Sequence, residues 1–192
     1  MITVFGSINM DLVATAKRLP KPGETVTGET FSTAAGGKGA NQALAARRAG
    51  ATVKMAGAAG DDTFAAPALT LLRDAGTDLS LVKTAPGATG TAVILIGEGG
   101  ENMISVIPAA NGEVSASDAT RTISEMAAGD ILMLQFEIPA AAIEAALTAA
   151  RAKRITTIIN TAPLTADAPR LSALADIVIA NETEFELLIG KN

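Results

Sequence analysis

The stretch Ile131-Leu132-Met133-Leu134-Gln135-Phe136-Glu137-Ile138-Pro139 settles the architecture. Residues 131–136 are apolar apart from Gln135, the mark of a strand covered on both faces. Pro139 stands where a helix opens, and Ile143, Leu147 and Ala150 recur on one face of that helix. Arg151, Lys153 and Arg154 close it, where cations offset its dipole. A second apolar strand, Ile155 to Ile159, ends at Asn160, and a third, Ile177 to Ile179, ends at Ala180-Asn181. Upstream, Ser117 is expected to cap a helix carrying Ile123 and Met126. Strand and helix in alternation predict an α/β fold: a mostly parallel sheet with helices on both faces and right-handed crossovers.

The first half has the same grammar with two interruptions. Ile2 to Phe5 and Val53 to Ala56 are core strands. Phe64, Ala68, Leu71, Leu72 and Ala75 form a helical face that stops at Gly76. Leu12 to Ala16 and Glu24 to Phe31 read as strands around the turn Pro20-Lys21-Pro22-Gly23. Residues 91–96 and 103–107 read as a hairpin across a glycine-rich loop. No helix separates either excursion from its neighbours, so the two are expected to pair as a small sheet. Ala92 and Ile94 share one face of it, as do Ile104 and Val106. That sheet is either a satellite with its own core or a lid whose apolar underside expels water from a site.

Between these parts lies Ala35-Gly36-Gly37-Lys38-Gly39-Ala40-Asn41-Gln42-Ala43. Glycine permits positive φ and close backbone approach. A helix beginning near Gly39 and ending at Gly50 aims free N–H groups into the loop, a setting that favours oxygen-rich or anionic ligands. Lys38 adds a cation, and Asn41 a donor and an acceptor one turn in. The run is not a Walker A loop, because the residue after the lysine is Gly39 rather than Ser or Thr. It is not a dinucleotide fingerprint either, because Gln42 stands where the third glycine belongs. Judged locally, a tight turn capping an ordinary helix is as good a reading as a binding loop.

Composition narrows the chemistry. The 192 residues contain no Cys and no His, so acid–base work falls to Asp, Glu or Lys. With net charge −5 and no basic patch, a nucleic-acid partner is not expected. No apolar run approaches a membrane span and no signal peptide is recognisable, so a soluble cytoplasmic protein is the expectation.

Polar residues recur where strands end: Asn9 and Asp11 after the first, then Glu137, Asn160 and Asn181. Open α/β sheets bind ligands at that edge, so these residues and the glycine loop suggest one crevice. Asn9 and Asp11 also fit an ordinary polar turn. Asn181-Glu182-Thr183-Glu184 has two readings as well. It has the form of a capping box, and it also offers a carboxylate able to act through hydrated Mg²⁺ beside phosphates.

Together these residues resemble the ribokinase family, the carbohydrate kinases related to the minor bacterial phosphofructokinase. The resemblance rests on Asn9-x-Asp11, Pro22-Gly23-Glu24-Thr25-Val26-Thr27-Gly28, Gly36-Gly37-Lys38-Gly39-Ala40-Asn41-Gln42-Ala43, Thr89-Gly90-Thr91-Ala92, Gly99-x-Glu101-Asn102, Gln135-x-Glu137 and Asn181-Glu182-Thr183-Glu184, in that order over the whole chain. It implies a three-layer α/β/α domain over residues 1–192 with a β lid at about 11–33 and 90–108. It implies phosphoryl transfer from ATP to the 5-hydroxyl of D-ribose, with Mg²⁺ and an activating K⁺, and a homodimer joined through the lid. Sugar-binding roles carry over to Asn9, Asp11, Gly37, Lys38, Asn41 and Glu137, and sugar-covering lid roles to Ala92, Ile94 and Val106. Asn181 matches a nucleotide-side residue, and Glu184 the acidic residue linked to Mg²⁺. A related kinase of another neutral sugar, such as fructokinase, is the alternative.

One part of the family pattern does not appear. The family's catalytic base is the Asp of a Gly-Ala-Gly-Asp run whose N–H groups form an anion hole, and the run is absent from these 192 residues. Ala58-Ala59-Gly60-Asp61 matches a different family position. The expectation is therefore the N-terminal part of such a kinase, incomplete in its C-terminal region. This part would carry most of the sugar site and no base, and could bind sugar without turning it over. Ala110-Asn111 also departs from the usual Gly-Asn.

Overall fold

A computed structural model describes residues 1–190. Its main sheet has six strands: β1 (Ile2–Phe5), β4 (Val53–Ala59), β5 (Asp78–Thr84), β8 (Ile131–Leu134), β9 (Thr156–Asn160) and β10 (Ile177–Ile179). They run parallel in the order β10-β9-β8-β1-β4-β5. The chain builds from β1 towards β5 and then returns to the other side of β1. The order therefore reverses between β1 and β8.

Alternation along the strands produces the layers. Val4 and Met55 point to one face, where they pack with Ala43 of α1 (Lys38–Arg48) and with Ala68 and Leu72 of α2 (Ala65–Asp74). Phe5, Ala56, Leu132 and Leu134 point to the other. There they meet Ala119 and Ile123 of α3 (Ala116–Ser124) and Ile143 and Leu147 of α4 (Ala140–Ala152). Side chains at period two in the strands face side chains at period 3.6 in the helices. The result is the expected three-layer α/β fold, completed by α5 (Ala168–Ser172) and α6 (Glu182–Leu188).

The second sheet has four strands in the order β3-β2-β6-β7, formed by β2 (Asn9–Ala16), β3 (Gly28–Gly36), β6 (Gly90–Gly97) and β7 (Asn102–Ile107). The two β excursions do pair, and they do so through a parallel β2–β6 ladder at the centre. Asn9 and Asp11 therefore do not extend the first core strand. Gly6-Ser7-Ile8 turns the chain, and both residues belong to β2 of the second sheet.

Other boundaries differ from expectation for identifiable reasons. Glu24 is not in a strand: its carboxylate accepts hydrogen bonds from Lys21 N–H and Arg18 and so closes the turn. The strand begins at Gly28 and runs on to Gly36, because Gly36 pairs with Asn9. Ser115, not Ser117, caps α3; only Ser115 has an acid three residues on, and it forms a reciprocal capping box with Asp118. The edge strand β5 is not expected from the sequence. Its alternation of polar and apolar residues is weak, and it pairs on one side only.

Candidate functional site

The glycine loop closes on its own chain before it can close on anything else. Gly37 has φ +91°, and a Cβ there would lie 2.8 Å from Asn9 N and 2.9 Å from Ser7 O. A Cβ on Gly39 would lie 2.6 Å from Ser7 N. One on Gly36 would collide with the Asp11 carboxylate. Gly37 and Gly39 therefore let the start of α1 press against the β1–β2 turn, and Gly36 leaves room for the Asp11 carboxylate. The close backbone approach anticipated for a ligand is spent, in part, inside the protein.

The helix N-terminus likewise already holds an anion. Lys38 N–H donates to Glu137 Oε2 at 2.9 Å, and Ser7 Oγ donates to the same oxygen at 2.5 Å. Gly39 N–H donates to Ser7 Oγ at 3.2 Å, and Ala40 N–H to Ser7 O at 2.9 Å. The carboxylate from the end of β8 thus sits on the helix dipole, where negative charge is favoured. Lys38 Nζ stands 4.0 Å from Glu137 Oε1, close enough to neutralise it and loose enough to turn to a ligand.

Asn9 is fixed equally firmly. Asn111, fully buried, donates from Nδ2 to Asn9 Oδ1 at 2.7 Å and to Ile8 O at 3.1 Å, and accepts from Ile8 N–H at 2.9 Å. Asn9 lies across the β2–β6 ladder from Gly90, where any side chain would strike this pair. With its carbonyl occupied, Asn9 has its NH₂ group left to offer. Asp11 has no hydrogen-bond partner among the described residues; burial, then the neighbouring Glu137 charge, raise its carboxyl above the usual range, while Lys38 opposes them.

The small sheet completes the arrangement. Asp11, Ala92 and Val106 occupy one rung across β2, β6 and β7, and Val13, Ile94 and Ile104 the next rung on the same face. A cavity of about 360 Å³ opens beside Asn9, lined by Val106, Pro108, Asn111, Phe136, Glu137 and Pro139 among others. The structure thus groups Asn9, Asp11, Gly37, Lys38 and Glu137 at the reversal between β1 and β8, with Ala92, Ile94 and Val106 on a shared face. Asn41 is exposed on α1, three residues beyond Lys38 and so on the same side of the helix.

Asn181 and Glu184 lie farther along the same edge. They form a reciprocal capping box on α6, so the capping half of the expectation holds. Thr161 Oγ1 also donates to Glu184 Oε2 at 2.8 Å. That oxygen has two protein donors; Oε1 has none among the described residues. No cluster of three or more acidic ligands exists among the described residues. This donor set suits a hydrated Mg²⁺ held through one carboxylate and water rather than a dehydrated ion in a cage. From β10 to β1 is three strand spacings, about 14 Å at ~4.8 Å each.

Two site residues are not singled out by sequence reasoning: Ser7 and Thr161. Each orients a carboxylate that the sequence does single out. A hydroxyl next to a glycine turn, or directly after an asparagine that ends a strand, is the available signal.

An open α/β/α fold with a polar crevice at this edge of its sheet belongs to the class of proteins that bind small molecules there, and comparison with known proteins specifies the family. The sequence matches the pfkB family of carbohydrate kinases over residues 1–192, and the chain belongs to that family. It is 36% identical to Haemophilus influenzae ribokinase over 190 residues, covering 98% of this chain and 62% of that protein. It is 37% identical to Mus musculus ribokinase, covering 98% of this chain and 59% of that one. The structure of Arabidopsis thaliana ribokinase complexed with ribose and ATP superposes with TM-score 0.84 at 29% identity, over 98% of this chain and 62% of the other. The chain thus spans about 60% of the length of the relatives it matches.

Proposed function

We propose that the complete protein phosphorylates D-ribose at its 5-hydroxyl with ATP, and that residues 1–192 carry the sugar half of its site. The observation that carries this is the group Asn9, Asp11, Lys38 and Glu137 at the β1–β8 reversal, matched to relatives named ribokinase. A ribose presents several hydroxyls, each a donor and an acceptor. Asn9 offers N–H donors, Asp11 and the free oxygen of Glu137 offer acceptors, and Lys38 offers a mobile donor. Strands β2, β6 and β7 carry no aromatic side chain on which a nucleoside base would stack, Phe136 of the cavity wall is buried in the core, and the cavity lining includes no arginine, which a sugar acid would need. A neutral sugar suits this set best.

The small sheet acts as the lid. Its rungs Ala92–Val106 and Ile94–Ile104 lower an apolar face over the sugar and expel water, which strengthens the polar contacts beneath. On the opposite face of the sheet the rung through Phe31, Ala14, Leu95 and Met103 leaves Phe31 and Met103 exposed, which supports pairing of two lids in a homodimer. Asn181 stands on the nucleotide side, and Glu184 would hold Mg²⁺ through water, the ion supplying charge neutralisation for the phosphates. The ~14 Å between that end of the crevice and the sugar end suits a triphosphate reaching across. K⁺ as activator and a cytoplasmic setting follow from the family resemblance.

A second reading has its own observation. The sequence contains no Gly-Ala-Gly-Asp run, so these residues by themselves would bind sugar without transferring phosphate. Sugar-dependent ADP release with Mg²⁺, K⁺ and D-ribose, against D-fructose and no sugar, separates the two. Turnover by the 192-residue chain would refute the second reading. Ribose binding without turnover would assign sugar recognition to this chain and transfer to the complete protein. A preference for fructose would refute the ribose assignment.

A further inference from the structure

We propose that Ser7 is the positioning residue that seats Glu137 for sugar binding; this rests on the proposed function only for the identity of the ligand. Ser7 is fully buried and sits in the three-residue turn between β1 and β2. Its hydroxyl has a single proton, and that proton is given to Glu137 Oε2. Its oxygen receives Gly39 N–H, and its backbone carbonyl receives Ala40 N–H. One residue therefore bonds simultaneously to the helix that carries Lys38 and to the carboxylate that comes from the opposite side of the sheet reversal.

The polarity of this relay has a chemical consequence. A hydroxyl that accepts from a helix N–H donates more strongly to a carboxylate, because successive hydrogen bonds polarise one another. With Lys38 N–H as second donor, Oε2 is fully engaged. Oε1 is left as the acceptor for a ligand hydroxyl, at a position set by two bonds rather than by a freely rotating side chain. Ser7 need not touch the sugar to act in this way. Without its hydroxyl the carboxylate keeps one donor, Lys38 N–H, and can pivot about it. A hold by two donors becomes a hold by one, and the entropy of ordering Glu137 falls on the binding step.

Two measurements test this. The first needs no ligand: amide hydrogen exchange of the 192-residue chain and its Ser7→Ala variant. Gly39 N–H, which loses its acceptor, exchanges faster in the variant, and Lys38 N–H, whose carboxylate acceptor is now free to pivot, exchanges about tenfold faster as well, while Ala43 and Leu44 within α1 keep their protection. Unchanged exchange at Lys38 would overturn the proposal, and loss of protection throughout α1 would overturn it in favour of a purely structural role. The second is a double-mutant cycle on D-ribose affinity by calorimetry. Ser7→Ala weakens binding about tenfold in the parent chain and has almost no further effect when Glu137 is already alanine. Additive effects would overturn the link through Glu137. Ser7→Cys keeps a donor, weaker and on a larger atom, and falls between the two. If the parent chain bound no ribose, the proposed function would fail for this chain, and the exchange experiment would still decide the role of Ser7.

Discussion

Gly39→Ala opposes two principles at one residue. Gly39 is helical, and alanine is the better helix former by about 1 kcal/mol, so propensity alone predicts a more stable protein. The surroundings predict the reverse. The new Cβ would stand 2.6 Å from Ser7 N and 2.7 Å from both Gly6 C and Ser7 O, whereas ordinary contact begins at 3.4 Å. All three are backbone atoms and cannot swing aside. The helix must retreat from the β1–β2 turn by about 0.8 Å, a typical over-packing adjustment costing ~1–3 kcal/mol. Retreat from Ser7 stretches Ala40 N–H to Ser7 O from 2.9 Å and Gly39 N–H to Ser7 Oγ from 3.2 Å, both beyond useful range. Two lost bonds cost about 1 kcal/mol each. The net is a loss of about 2–4 kcal/mol after the propensity gain. The chain has no Trp or Tyr, so urea unfolding is followed by far-ultraviolet circular dichroism. With a slope of about 2 kcal/mol per molar, the midpoint falls by ~1–2 M. An unchanged or higher midpoint would show that α1 is not wedged on the turn, and the account of the glycine loop would fail.

Other perturbations read out the remaining contacts. Asn111→Leu removes three buried bonds and strands the Ile8 N–H; about 2–4 kcal/mol of stability and most of the ribose affinity should go, and retention of both would refute the fixed orientation of Asn9. Asp11 titrates higher in the folded chain than unfolded, so its contribution is fully present at acid pH and is lost as pH rises through its folded pKa. Asp11→Asn should therefore raise the thermal midpoint at neutral pH, with little change at low pH, while weakening sugar binding; a midpoint lowered at neutral pH would contradict this. Asn181→Ala deletes the α6 cap and should cost about 1 kcal/mol locally, seen as faster exchange of the Glu184 amide. Finally, Ile177, Val178 and Ile179 on the edge strand and Phe185 and Leu187 on α6 are all exposed, so the 192-residue chain should self-associate. Val178→Lys should reduce concentration-dependent light scattering; a monodisperse parent sample with a sharp thermal transition would refute the expectation.

The layers are legible in the sequence because core strands and helices carry strong periodicity. Ile131–Leu134 and Ile143 with Leu147 could hardly be anything but a buried strand and the helix that covers it. The edge is harder: β5 has polar residues facing solvent, and its pairing depends on β4 being beside it. The start of β3 is misplaced by propensity because Thr25 and Val26 favour strands locally, while a single side chain, Glu24, keeps the chain in a closed turn through Arg18 and Lys21. At the candidate site, the residue types are visible and the internal partners are not. The glycines, Lys38 and Glu137 announce a place for an anion. That the anion is Glu137 itself depends on a contact across 99 residues, which no local pattern encodes. Asn111 stands out in the sequence for the alanine before it, not for the bonds it makes.

The β1–β2 turn is only three residues long, and Asn9 pairs with Gly36 at the other end of the same rung. All four strands of the small sheet thus join the main body at the same end, along the rung Gly36–Asn9–Gly90. A swing of the sheet would make this end a lever with its fulcrum among the groups that would grip a ligand. Asp11, one rung out, would ride on the arm, while Asn9, tied to Asn111, would stay with Lys38, Asn41 and Glu137 on the base. A molecule held by both sets works as a latch across the fulcrum, so occupancy and closure become one event rather than two. Slowed exchange of amides along β6 and β7, far from any direct contact, would then be the mechanical signature of a filled site.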